Sequence, residues 1–393
     1  MTLGLYISVP FCRTKCSYCN FASDVFSKGA YEGYVARVLE DLAGARAVAR
    51  ELGCILPQKV DSIYLGGGTP SVLDPEQLRR IFAAVRAQFE VEKGVEATVE
   101  CAPGTLTGSL VETLAACGVN RVSLGVQSFV DAEARAVGRL HNRATVLEDM
   151  ERLRAAGIGN INVDLIAGLP HQTAESWRVS LAETLATGAP HASVYMLEVD
   201  EDSRLGRELI AGGTRYHAHF VPDEGATADL YEEACRALEQ GGVPQYEISN
   251  FARSGFESRH NLKYWERRPY LGVGLDAHSM LAADAGLSAS AMRFSSPESL
   301  DGYMNRAPRT VTPVDAVAAF EESFFLGLRL NRGVGLRGLP DEHAAALEPV
   351  IDACLQDGLL ARTETTIALT GRGRLLSNEV FARFLVDRAE LKV

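Results

Sequence analysis

Cysteine is scarce in this sequence. Eight in 393 residues are far too few to staple a chain of this size, which excludes a disulfide scaffold of the secreted kind. Positive charge is short as well: 39 Lys and Arg face 51 Asp and Glu, a formal net charge of −12. That balance argues against a general nucleic-acid binder, whose footprint is basic. No apolar run approaches the ~18–20 residues needed to span a bilayer. The apolar start MTLGLYISVPFC has no Lys or Arg ahead of it and no small-residue cleavage site behind it, so it makes a poor signal peptide. Together these absences predict a cytoplasmic protein with no transmembrane segment and no nucleic-acid partner. Internal repeats and low-complexity tracts are absent too. What is present is ordinary globular material, 47% hydrophobic and 23% charged. At ~100–200 residues per domain the length suggests two or three domains, or one large α/β domain with an appendage.

Over the first half, short β-rich runs (5–9, 62–65, 97–100, 121–126, 160–166, 193–197) alternate with amphipathic stretches (31–52, 75–89, 144–156, 174–187). Asp74-Pro75 reads as an N-cap followed by an N1 proline. Gly118 and Gly157 follow helices as C-cap glycines do. Strands separated by helices imply βαβ units and a parallel sheet. Six units are too few for a closed eight-stranded barrel, so a partial barrel is the expectation and a doubly wound sheet the alternative. The pattern breaks near Val199. Residues 226–240 read as helix, 246–249 as extended, and 282–315, rich in Ala, Ser and Pro, as irregular connection. Near the C-terminus, helix (347–356), two short strands (358–362, 366–369) and helix (370–384) resemble a winged-helix unit or an α+β cap. The division expected is 1–200, 201–315 and 316–393.

Three of the cysteines, Cys12, Cys16 and Cys19, fall within eight positions, in the loop after the first strand, where parallel βα folds carry their chemistry. A structural zinc wants four ligands, yet only three are local, and the first histidine after them is His141. Three thiolates on a [4Fe–4S] cube leave one iron open to a small molecule. Buried thiols, or a zinc site completed from elsewhere in the chain, form the other reading. Gly66-Gly67-Gly68-Thr69-Pro70 ends the second strand, and consecutive glycines let a backbone approach a ligand or simply turn tightly. Glu100, Gln127 and Asp164 stand at or near the ends of the next three strands, with Arg139 one helical stretch after Gln127. Each alone reads as a satisfied hydrogen-bonding residue; four together read as a pocket.

YISVPFCRTKCSYCNF, DSIYLGGGTPSVL, NRVSLGVQSF and NVDLIAGLPHQT together resemble the coproporphyrinogen-oxidase-like branch of the radical S-adenosylmethionine (SAM) superfamily. The resemblance runs from about residue 4 to 385. It implies an α/β fold, a (β/α)6 partial TIM-like barrel with a C-terminal α+β, winged-helix-like region. It also implies that Cys12, Cys16 and Cys19 hold a [4Fe–4S] cluster whose fourth iron is chelated by SAM. Tyr6, Gly67, Gly68, Thr69, Glu100, Gln127, Arg139 and Asp164 would contact SAM, joined by Tyr195 at the end of the sixth strand.

The branch contains oxygen-independent coproporphyrinogen III dehydrogenases and HemW-type heme chaperones. The dehydrogenase type has a fourth cysteine two residues after the third, where this chain has Phe21, and a longer N-terminal extension than the eleven residues before Cys12. His260-Asn261-Leu262-Lys263-Tyr264-Trp265 matches the HNxxYW motif that HemW-like proteins associate with heme. The resemblance therefore implies a chaperone that binds a cluster, SAM and heme, and delivers heme to acceptor proteins, membrane-bound ones among them. A flavodoxin or ferredoxin would supply electrons. Oxidative decarboxylation of coproporphyrinogen III is the rival activity. His260 is the expected heme ligand, flanked by aromatics; without the resemblance, a His beside a Trp reads as a hydrogen-bonded structural residue. Gly274–Ser279 (GLDAHS) departs from the Gly-Pro-Gly-type turn more usual before Ala-His-Ser. His217 and His219 read as surface residues, and Cys54, Cys101, Cys117, Cys235 and Cys354 as small buried hydrophobes.

Overall fold

Alternation decides which way each strand faces. In the computed structural model, which describes residues 1–336 and 341–385, the strands are β1 (Leu3–Val9), β2 (Cys54–Ile55), β3 (Lys59–Gly67), β4 (Glu90–Cys101), β5 (Arg121–Gln127), β6 (Asn160–Ala167), β7 (His191–Met196), β8 (Asn250–Ala252), β9 (Tyr270–Val273), β10 (His278–Ala283), β11 (Ala291–Ser295) and β12 (Thr310–Val314). Leu3, Leu5, Ile7 and Val9 of β1, Ala97, Val99 and Cys101 of β4, and Val122, Leu124 and Val126 of β5 all join one buried apolar cluster. The intervening residues (Tyr6 and Ser8; Glu96, Thr98 and Glu100; Ser123 and Gln127) point the other way, because successive side chains of a strand alternate faces. One face of the sheet thus packs under helices and the other lines a polar lumen.

β1, β3, β4, β5, β6 and β7 are parallel neighbours in that order, and among the described residues β7 does not close onto β1. This is the expected (β/α)6 partial barrel. Antiparallel β8 extends the β7 edge. On the other edge β9 runs parallel to β1, and β10, β11 and β12 follow antiparallel, with β2 also on β10. The irregular connection expected over 282–315 is corrected by these strands and by the helix Leu300–Met304. Ala, Ser and Pro carry little β propensity, but pairing on a sheet edge overrides it. Pro313 is tolerated because β12 is the outermost strand, where a missing N–H breaks no ladder. β8 likewise begins at Asn250, just past the extended piece expected at 246–249.

The helices follow their sequence signals. Asp74 and Gln77 form a reciprocal capping box ahead of helix Pro75–Gln88, and that helix buries Leu78, Ile81, Phe82 and Val85, an i, i+3, i+4, i+7 stripe. Each such side chain contributes about 1.5–3 kcal/mol by leaving water. Gly118 and Gly157 take φ of +77° and +85°, as C-cap positions require. After helix Ala316–Gly327, a separate small sheet forms from β13 (Val334–Gly335), β14 (Leu360–Arg362) and β15 (Thr366–Leu369), in the order β13-β15-β14. It shares a second core with Phe324, Ile351, Cys354, Val380 and Phe384. The helix expected over 370–384 is broken at Leu376 into Gly371–Leu375 and Ser377–Arg383. The expected third region extends over 337–340 and 386–393, which lie outside the described residues. Among the described residues no helix is long and apolar enough to cross a membrane.

Candidate functional site

Past Val9 the chain leaves the barrel as a loop carrying Cys12, Cys16 and Cys19. Backbone bonds pin it: Cys12 N to Asp24 O at 3.0 Å, Ser17 N to Val137 O at 3.2 Å and Cys19 N to Cys16 O at 3.3 Å. Each thiol has a polar neighbour. Arg139 Nη1 lies 3.5 Å from Cys16 Sγ, Thr69 Oγ1 3.6 Å from Cys12 Sγ, and Ser23 Oγ 3.9 Å from Cys19 Sγ. Burial pushes the Cys12 thiol up, and the Thr69 and Ser23 hydroxyls oppose that shift. Among the described residues, no three His, Cys, Asp or Glu side chains gather to hold one metal ion. A four-iron cube takes one thiolate at each of three separate irons, and the donor set of this loop fits that requirement. Beside it, Arg139 Nε and Ser17 Oγ are buried with no partner among the described residues. Buried donors are rarely left unmet, so these two suit a bound group.

The glycine run packs against the same loop. Gly68 N donates to Val9 O at 2.9 Å and Thr69 N to Phe11 O at 2.8 Å. A Cβ on Gly68 would stand 2.7 Å from Val9 O, and one on Gly66 2.9 Å from the Glu100 carboxyl. Gly67 has φ +100°. The run is thus fixed by close approach on two sides and by one left-handed residue.

Inside the lumen, Glu100 accepts from Tyr64 OH at 2.8 Å and from Gly67 N at 3.2 Å. Burial, then the neighbouring Asp164, pushes its carboxyl up to about 7. Asp164, itself raised by burial, accepts from Ser123 Oγ at 2.9 Å and Asn162 Nδ2 at 2.7 Å. Gln127 ends β5 in a left-handed conformation, φ +69°. Gly125 leaves room beside it for Arg139, whose Nη2 donates to Gly125 O. Tyr195 is half-exposed near the end of β7. The structure therefore brings every residue expected to contact SAM to the cysteine end of the lumen or its rim. Sequence reasoning passed over Tyr64, which the alternation Ser62, Tyr64, Gly66 on β3 places on the lumen face. It also passed over Arg121, buried at the start of β5 with Nε and Nη1 unpartnered among the described residues.

Two hollows flank the cysteine loop. The smaller, ≈ 40 Å³, is lined by Arg13, Thr69, Arg139 and His141 among others. The larger, ≈ 310 Å³ and open to solvent, is lined by Tyr6, Ser8, Phe21, Gly67, Glu100, Tyr264, Tyr270, Asp276 and His278 among others. Phe21, at 67% exposure, stands on the rim two residues after Cys19.

The HNLKYW segment forms the helix Arg259–Trp265. Ser258 caps it, and the Glu96 carboxylate on β4 accepts from Arg259 N at 3.0 Å and His260 N at 3.1 Å. His260 is 1% exposed. Its Nδ1 lies 3.0 Å from Ser62 Oγ and its Nε2 2.8 Å from Tyr264 OH. Burial, with Lys263 nearby, pushes its pKa down to about 3, so the ring is neutral. Lys263 is paired with Asp61 at 2.7 Å, and Trp265 lies under the Arg329 guanidinium at 4.2 Å. Tyr264 thus reaches the larger hollow while His260, one turn earlier on the same helix face, sits behind it with both ring nitrogens engaged. His217 bonds not to His219 but to His171, Nδ1 to Nε2 at 3.1 Å. Cys54, Cys101, Cys117 and Cys354 are buried and Cys235 half-buried.

The chain is similar to known proteins over nearly its whole length. A model of the radical SAM superfamily matches residues 6–183, and one of the HemN C-terminal domain matches residues 314–376. The heme chaperone HemW of Lactococcus lactis is 33% identical over 390 residues, 97% of each chain. HemW of Bacillus subtilis is 32% identical over 386 residues, 97% of this chain and 98% of that protein. A mouse protein, radical S-adenosyl methionine domain-containing protein 1, mitochondrial, is 33% identical over 338 residues, 84% of this chain and 74% of its own. Among solved structures, coproporphyrinogen III oxidase (HemN) from Escherichia coli, a radical SAM enzyme, matches with a TM-score of 0.82 at 22% identity. The match covers 98% of this chain and 90% of that one, and shows the shared fold.

Proposed function

Since the chain belongs to the HemW family of radical SAM proteins, we propose that it is a heme chaperone, binding heme beside a [4Fe–4S] cluster and SAM and passing the heme to acceptor proteins. The observation that carries this reading is the aromatic-walled hollow opening directly beside the three-thiol loop. Its ≈ 310 Å³ lies at the lower end of the ~300–1,000 Å³ typical of cofactor-sized sites. Phe21, where the dehydrogenase type has a further cysteine, adds an apolar face to that hollow.

In this reading Cys12, Cys16 and Cys19 hold the cluster, with Arg139 beside Cys16 and Thr69 beside Cys12. Gly67, Gly68 and Thr69 let the backbone approach SAM. Tyr6, Glu100, Gln127, Arg139, Asp164 and Tyr195 line the rest of its pocket. When bound, cluster and SAM supply the superfamily's one-electron chemistry. The chain's own part is to gather the three thiols on one loop, seat SAM against the lumen carboxylates and leave the hollow open to cargo. The fuller reading has a flavodoxin or ferredoxin as electron donor, membrane-bound proteins among the acceptors, and the cytoplasm as compartment. Residues 1–200 form the barrel, 201–315 complete the ligand-facing wall, and the described residues from 316 onward form the C-terminal unit.

The test is anaerobic reconstitution followed by heme titration and coproporphyrinogen III turnover on one sample. Stoichiometric heme uptake without protoporphyrinogen IX is expected. No heme uptake, or steady formation of protoporphyrinogen IX, overturns the reading.

A further inference from the structure

An iron-binding imidazole needs a free ring nitrogen facing its ligand. His260 offers none in this structure. Both nitrogens are in hydrogen bonds, the ring is 1% exposed, and the helix carrying it is held at its N-terminus by the Glu96 carboxylate. A second histidine lies where the first was expected. His278 opens β10, its side chain is 60% exposed, and it lines the larger hollow with Tyr6, Phe21, Tyr264 and Tyr270. Resting on the heme-chaperone reading, we propose that heme docks in this hollow with the His278 imidazole as an axial ligand to its iron.

Three features of the turn before β10 support the assignment. First, Asp276 Oδ1 lies 3.6 Å from His278 Nε2. A carboxylate beside one ring nitrogen is the usual partner of a metal-ligating imidazole, fixing the ring and its tautomer, and it leaves the other nitrogen for iron. Second, Asp276 has φ +51°, a left-handed conformation that glycine adopts without penalty and only a few per cent of other residues take, aspartate more readily than most. Strain of this kind persists where the surroundings impose it, and it gathers at ligand sites. Third, the surroundings do impose it. Leu275 N donates to Tyr34 OH at 2.9 Å, Asp276 N to Pro297 O at 3.0 Å and Ser296 N to Ala277 O at 3.1 Å. Gly274, at φ +103°, leaves no room for a Cβ, which would stand 2.6 Å from Ser8 O and from Tyr34 OH. A rigid turn thus presents Asp276 and His278 to the hollow, while the flat faces of Tyr6, Phe21, Tyr264 and Tyr270 suit an apolar macrocycle. The open mouth lets the heme's carboxylates stay in water.

His260 then has a different task. Through its 2.8 Å contact to Tyr264 OH it is a positioning residue, fixing one wall of the hollow.

The test uses the full chain, reconstituted anaerobically and titrated with hemin, read by absorbance and by EPR of the ferric complex. His278→Ala is expected to weaken heme binding by about tenfold or more and to lose the imidazole-ligand signature, with free imidazole restoring it. Asp276→Asn keeps that signature but weakens binding by about tenfold. His260→Gln keeps the wild-type signature. Because His278 is exposed, its variant should show an unchanged circular dichroism spectrum. If His278→Ala binds heme with wild-type affinity and spectrum, or if His260→Gln alone abolishes the signature, the proposal is overturned and the chaperone reading stands. If the wild-type protein takes up no heme, the chaperone reading falls and the proposal with it.

Discussion

The cysteine loop and the motif helix border the same hollow, yet they treat their polar atoms in opposite ways. In and around the loop, Arg139 Nε and Ser17 Oγ are buried without partners among the described residues, and three thiols have only long contacts. In the helix Arg259–Trp265, His260 uses both ring nitrogens, the Glu96 carboxylate takes two backbone donors, and Lys263 has Asp61. Leaving a buried group unsatisfied costs about 1–3 kcal/mol, a cost that a bound group removes. The loop is therefore built for something else to complete it, whereas the helix is complete at His260 and Lys263 and leaves only Trp265 Nε1, under the Arg329 guanidinium, without a partner among the described residues. Chemistry-bearing residue types alone do not separate the two; the state of their hydrogen bonds does.

That contrast breaks most visibly when the loop is emptied. Replacing Cys12, Cys16 and Cys19 together by Ala should abolish cluster assembly, read as iron content and visible absorbance after reconstitution. The unfolding midpoint should hardly move, because the main apolar core does not rest on these thiols. Heme binding should survive in part. A large loss of stability would mean that the loop is scaffold after all. The helix should respond the other way. His260→Ala strands Ser62 Oγ and Tyr264 OH and opens a cavity, and should cost about 2–4 kcal/mol in urea unfolding while leaving iron uptake intact. A neutral result there would mean that the helix is as open to ligands as the loop. Gly68→Ala lies between them. Its Cβ would meet Val9 O and Phe11 O at 2.7 and 2.9 Å, so about 1–3 kcal/mol of stability should go, together with SAM affinity by equilibrium dialysis. Unchanged SAM affinity would remove the glycine run from the SAM site.

How much of this was legible follows from how far apart in the chain the partners lie. The barrel strands were readable because each buries one face, so Leu5, Ile7 and Val9 alternate with Tyr6 and Ser8. The cysteine loop was readable because its three ligands fall within eight positions of one another. The far wall of the hollow was not. Tyr270, Asp276 and His278 reach Tyr6 only because β9 pairs in parallel with β1 and β10 folds back on β9. Both pairings join short strands of weak pattern, where tertiary contact and not propensity decides. The depth of His260 was not legible for a related reason. Its motif marks the helix, but the depth of a side chain within a lumen is set by what lies across it, here Ser62 on β3, 198 residues away.

The smallest effect concerns Glu100, which stands between the two regions. Its carboxyl is pushed up from 4.5 to about 7, first by burial and then by Asp164, while the hydrogen bonds from Tyr64 and Gly67 oppose the shift. A carboxyl whose folded value is raised holds its proton in the native state after the unfolded chain has released it. Stability therefore falls as pH rises from about 4.5 to 7 and levels off above. Asp164, shifted in the same direction, adds to that slope, so the informative quantity is a difference between variants. Glu100→Gln keeps an acceptor for Tyr64 but has no proton to lose. Urea midpoints at pH 5 and pH 8 should differ less in this variant than in the wild type, with the gain at pH 8. An identical pH dependence in the two proteins would mean that water reaches Glu100 freely. The lumen would then be an extension of the open hollow, and the boundary between a ligand-ready loop and a finished scaffold would lie deeper, at Ser62 and His260.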